Sequence, residues 1–145
     1  MTELAFHFGA PDKLEYACRL LRKAVGSGAQ VVLVADAKTL SQIDADLWAL
    51  SPTEFVPHVV VTAAGARHSR SPLVLVTDPA DVPQHTGVLV NLTDVVQLGF
   101  ERFARVIEVV STEAGDRESA RRRWRQYTER GYTITRHDLT VKRAD

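Results

Sequence analysis

With 145 residues, 45% hydrophobic and 25% charged, the chain has enough apolar material for one core and too little length for a second of similar size, so a single domain over residues 1–145 is expected. Its 18 basic and 18 acidic residues cancel, which excludes a whole-molecule attraction to nucleic acid or anionic membranes and makes any electrostatic function local. A lone cysteine, Cys18, excludes an internal disulfide, and the five histidines show no metal-ligand spacing.

Leu4-Ala5-Phe6-His7-Phe8 reads as a first strand. Its opening residues lack the basic region and long apolar run of a leader, and no apolar stretch approaches a membrane span, so a soluble, cytoplasmic protein is expected. Asp12, with Glu15 three residues on, starts a helix whose Leu14, Ala17, Cys18, Leu21 and Val25 share one face, and Gly26-Ser27-Gly28 ends it. Val31 to Ala35 is a continuous apolar run, as in a parallel strand covered on both faces. Asp36 caps a second helix carrying Leu40, Ile43, Leu47 and Trp48, and Ser51-Pro52 stops it. Glu54-Phe55-Val56-Pro57-His58 leads into a strand at Val59-Val60-Val61, and residues 62–72 read as a loop.

Leu73 to Val76 and Val88 to Val90 are two further buried strands. The spacing of Phe100, Phe103, Ile107 and Val110 predicts a third helix, and Gly115 separates it from a fourth over Asp116 to Arg130. Gly131 suits a left-handed position after that helix, and Tyr132-Thr133-Ile134-Thr135 an edge strand. Strands alternating with helices in this way give a three-layer α/β fold, a mostly parallel sheet flanked by helices.

Such a sheet invites a nucleotide site at the carboxyl ends of its strands. The first strand-helix turn, Gly9-Ala10-Pro11, has one glycine where a pyrophosphate cradle needs several, and Asp36 is better explained as a cap than as a ribose-binding acid. No serine lies in a nucleophile signature, Cys18 sits in an apolar stripe, and the carboxylates form no assignable acid-base pair. No catalytic residue, metal or cofactor is expected.

The sharpest local signal lies between 117 and 130, which hold six of the 18 basic residues. On a helix Arg117, Arg121 and Arg125 make a ridge, bordered by an apolar strip of Ala120, Trp124 and Tyr127. Three readings fit: a solvated helix face whose aromatics dock on the sheet, a surface for single-stranded nucleic acid, or a site for an acidic peptide. A peptide ending in an aromatic residue with a free carboxylate would use both the arginine forks and the apolar strip.

The run Ala120-Arg121-Arg122-Arg123-Trp124-Arg125-Gln126-Tyr127 through Gly131-Tyr132, the pair Leu47-Trp48 with Glu54-Phe55-Val56-Pro57-His58, and Phe6-His7-Phe8 together resemble the chi subunit of bacterial DNA polymerase III, over nearly the whole chain. The resemblance implies a Rossmann-like fold without a nucleotide site and a non-catalytic replication adaptor of the clamp-loader complex, a monomer or a heterodimer with psi, that meets nucleic acid only indirectly. It also implies two partners. One is the acidic C-terminal tail of single-stranded DNA-binding protein, at positions matching Val110, Arg117, Arg121, Trp124 and Arg125; the other is the psi subunit, or a helicase competing with it, at Trp48, Phe55, Pro57 and His58. Arginine and tryptophan at 117, 124 and 125, where relatives often carry lysine or tyrosine, keep charge and aromatic area but change hydrogen-bond geometry.

Overall fold

A computed structural model describes residues 1–49, 56–61 and 71–139. Among these residues seven strands form one sheet: β1 (Glu3–Ala10), β2 (Val31–Val34), β3 (Val59–Val60), β4 (Leu73–Val76), β5 (Val88–Asn91), β6 (Arg105–Ser111) and β7 (Ile134–Asp138). Their order is β3-β4-β2-β5-β6-β1-β7, and every pairing is parallel. Parallel neighbours need crossovers, and three of the connections between successive strands carry an α-helix: α1 (Lys13–Gly26), α2 (Ala37–Trp48) and α3 (Ala114–Glu129).

The apolar runs of β2, β4 and β5 occupy the middle of the sheet because both their faces are covered. Val31 and Leu33 pack with α1 and α2 through Leu21, Leu40, Ile43 and Leu47. The alternate residues Val32 and Val34 face the other core, which holds Phe6, Phe100, Val110, Ala120 and Tyr127 beside α3. Asp12 and Asp36 are helix caps, accepting from the backbone N–H of Glu15 at 3.1 Å and of Thr39 at 2.8 Å. Gly131, with φ of 88°, lets the chain turn from α3 into the edge strand β7.

One sequence expectation is overturned. Phe100 to Val110 is no helix: Phe100–Arg102 is a short 3-10 turn, and Arg105–Ser111 is a seven-residue strand. The three- and four-residue spacing of Phe100, Phe103 and Val110 arises because turn and strand deliver them to the same core by different routes, whereas Ile107 points to the opposite face. The β-branched run Val106-Ile107-Glu108-Val109-Val110, buried throughout, is the strand signal that this coincidence hides. The last strand also starts later than expected, at Ile134. The predicted loop falls mostly outside the described residues.

Candidate functional site

Helix α3 is fixed at its start by Asp116, whose carboxylate accepts from the Ser111 N–H at 2.8 Å and from Lys13 Nζ at 3.2 Å. Burial pushes this carboxyl up, but those donors outweigh it and hold it below the usual aspartate value. Ser119, Ala120, Arg123 and Tyr127 form the helix's inward face. Arg123 is 1% exposed, and its Nε donates to Glu108 of β6 at 3.0 Å. Tyr127 Oη and Asn91 Nδ2 donate to the other Glu108 oxygen at 2.7 and 3.0 Å. Inside a low-dielectric layer this network sets the rotation of α3 about its axis, and so the direction of everything on its outer face.

That outer face presents Arg117, Arg121 and Arg125 to an open cavity of about 430 Å³. Trp124 sits between the two faces, half-buried, with its ring centroid 5.1 Å from Phe6 and 6.0 Å from Phe8. The expected apolar strip therefore divides: Ala120 and Tyr127 go into the core, and Trp124 lines the cavity. The far wall comes from the sheet, where Phe8 of β1 and Arg136 of β7 complete the lining together with Thr128. The Arg136 guanidinium lies over the Phe8 ring, 4.5 Å from its centroid. Among the described residues no carboxylate lines the cavity and no ion pair engages Arg117, Arg121 or Arg125. Four guanidinium groups thus surround an aromatic floor, a setting suited to an anionic ligand with an apolar or aromatic portion.

Val110, assigned to this site by resemblance, is fully buried in the core beneath α3 and does not line the cavity. Phe8 and Arg136 were missed by sequence reasoning. Phe8 belongs to an evident strand, but only the parallel pairing of β1 with β7 brings Arg136 alongside it.

The second candidate surface lies at the opposite edge of the sheet, beside β3. Trp48 ends α2 and is 62% exposed, so it is not a core residue. Its ring stands 5.3 Å from that of His58, which is held between Val56 O (2.7 Å from Nδ1) and Asp44 Oδ1 (2.8 Å from Nε2). Pro57 is exposed, as are Val59 and Val60 of β3, which sequence reasoning treated only as a strand. Phe55 lies outside the described residues.

Among the described residues no group of three or more His, Cys, Asp and Glu could hold a metal ion, and no helix is long and apolar enough to cross a membrane. The arrangement is a parallel α/β scaffold with a basic, aromatic-floored cavity at one edge and an exposed aromatic-aliphatic surface at the other. The chain belongs to the family of the DNA polymerase III chi subunit, HolC, whose model matches residues 1–135. It is 34% identical over 129 residues to the DNA polymerase III subunit chi of Pseudomonas aeruginosa, covering 88% of this chain and 87% of that protein. The subunit chi of Haemophilus influenzae is 25% identical over 126 residues, 86% of each chain. Among solved structures, the C-terminal domain of S. cerevisiae Dbp5 bound to Gle1 and IP6 is similar in fold, with a TM-score of 0.62 at 14% identity, covering 97% of this chain and 92% of that one.

Proposed function

We propose that this chain is a non-catalytic accessory subunit of DNA polymerase III that carries a peptide site at one sheet edge and a protein-docking surface at the other. In this reading the cavity between α3 and β7 holds the acidic C-terminal tail of single-stranded DNA-binding protein. The Trp48 edge joins psi, or a helicase competing for the same surface, and so links tail-bearing DNA complexes to the clamp loader. The chain works as one domain in the cytoplasm, needs no cofactor, and meets DNA only through its partners.

The observation that carries this reading is the meeting of Arg117, Arg121 and Arg125 with Trp124 and Phe8 in one cavity that no carboxylate lines among the described residues. Arginine forks pair carboxylates bidentately, and an indole beside them shelters an aromatic side chain from water. Val110 packs in the core on which Ala120 and Trp124 rest, and so supports the site from below. The two surfaces stand at opposite edges of a seven-stranded sheet. Six strand spacings make this separation roughly 29 Å. Both partners can therefore be held at once, as a linking subunit requires.

A charge-assisted hydrogen bond contributes about 1.5 to 3 kcal/mol, so Arg121→Ala is expected to weaken tail binding by about tenfold or more. Fluorescence titration of a labelled acidic tail peptide against wild type and variant, at two salt concentrations, reads this directly. Equal affinities would discard the site.

The same cavity favours a second reading through its stacked Arg136 and Phe8, a geometry that also suits phosphate and base. Direct binding of a single-stranded oligonucleotide at physiological salt, with a steep salt slope and no partner protein, would establish it in place of the adaptor.

A further inference from the structure

We infer that Arg136, on the edge strand rather than on the arginine helix, is the specificity residue that reads a side-chain carboxylate upstream of the peptide's terminal residue, with Phe8 holding its guanidinium flat. The inference rests on the acidic-peptide reading of the cavity. In β7, Ile134 packs into the core beside α3, and Arg136, two residues on, projects to the same face. There its guanidinium lies 4.5 Å from the Phe8 ring centroid, and that ring lies 6.0 Å from the Trp124 ring centroid.

Trp124 stands on α3 between Arg121 and Arg125. A terminal aromatic residue seated on the indole therefore leaves its own carboxylate beside the helix arginines. The two spacings put the Arg136 guanidinium at most about 10 Å from the indole, and since an extended chain advances about 3.4 Å per residue, it meets a side chain no more than about three residues upstream, those two or three upstream being clear of the terminal carboxylate. Arg136 also differs from the ridge in already sharing its charge: Asp138, on the same strand face, lies 3.8 Å from Nη2. At 3.8 Å, with Arg136 exposed and Asp138 partly buried, that pair is a weak one, so an incoming carboxylate can take the place of Asp138. A ligand whose only anion is its C-terminus gains nothing from this exchange. One with acidic side chains does.

The test uses the full chain and a labelled peptide bearing several acidic residues before an aromatic C-terminus, with each acid replaced in turn by its amide. Arg136→Gln is expected to weaken the parent peptide about three- to tenfold. The amide two or three residues before the terminus should cost wild type that same factor and cost Arg136→Gln nothing more, a coupling that a merely structural role would not produce. Asp138→Asn, which removes the competing carboxylate, is expected to tighten binding about two- to threefold. If Arg121→Ala weakens binding while Arg136→Gln does not, or if no acid couples to Arg136, the inference is overturned and the peptide site stands. If neither variant weakens binding, the peptide site itself is lost, and this inference with it.

Discussion

Glu108 is the residue on which the cavity's geometry depends, although it touches no ligand. It is fully buried in β6, and its neighbours Arg123, Tyr127 and Asn91 all donate to it. Burial pushes its carboxyl upward, while those three donors pull the other way. The pair is better viewed as a registry device than as a source of net stability, since buried ion pairs roughly break even against apolar packing. Removing one partner is a different matter, because it strands a charge. Glu108→Gln is therefore expected to lower the unfolding free energy by about 3 to 5 kcal/mol, read as a shifted midpoint in urea at unchanged slope. Variants that remove an exposed ridge arginine should leave that midpoint nearly in place.

At the scale of elements, the helices on the α1-α2 face, the central strands and the arginine ridge were legible because each rests on local pattern: caps, continuous apolar runs and four-residue spacing. What escaped depended on contacts between segments distant in sequence. β6 imitated helical spacing, and the half-burial of Trp124 follows from Phe6 and Phe8 of β1 lying beneath it. Helical spacing sets Trp124 on the ridge side of Ala120, but only the β1 aromatics beneath it fix how far its ring is covered. Arg136 likewise has no local motif, and only the β1-β7 register brings it to Phe8. The end of α2 shows the opposite case, a tryptophan whose size suggests packing but whose ring stands in solvent against His58. Because Trp48 contributes little to the core, Trp48→Ala should shift the thermal midpoint by less than about 2 °C. It should also weaken capture of purified psi or helicase by tenfold or more, as loss of a docking anchor does. A large fall in thermal midpoint would mean that Trp48 serves the fold instead.

For the whole molecule, stability and peptide binding should respond to pH in different ways. Burial, then the facing His137, and then Arg105 and Lys23 lower His7 to about 4, with Tyr16 of α1 bonded to its Nδ1. Burial, reinforced by Arg102, lowers His85 as well. The unfolded chain takes up these protons as pH falls through about 6.5, while the folded chain keeps His7 neutral down to about 4. The unfolded state thus binds more protons across that window, so stability is complete above it, falls through it and levels off beneath it. His7 alone should make the protein about 1 to 2 kcal/mol less stable at pH 5 than at pH 7.5, measured by urea unfolding, and His7→Asn should flatten that slope. In the proposed peptide site, by contrast, no histidine lines the cavity among the described residues. Tail affinity should therefore be level from pH 6 to 8.5 while unfolding free energy tilts. A binding curve that instead followed the histidines would mean that the His7–His137 contact between β1 and β7 governs the position of Phe8 and Arg136, the residues that immediately follow and precede it in their strands.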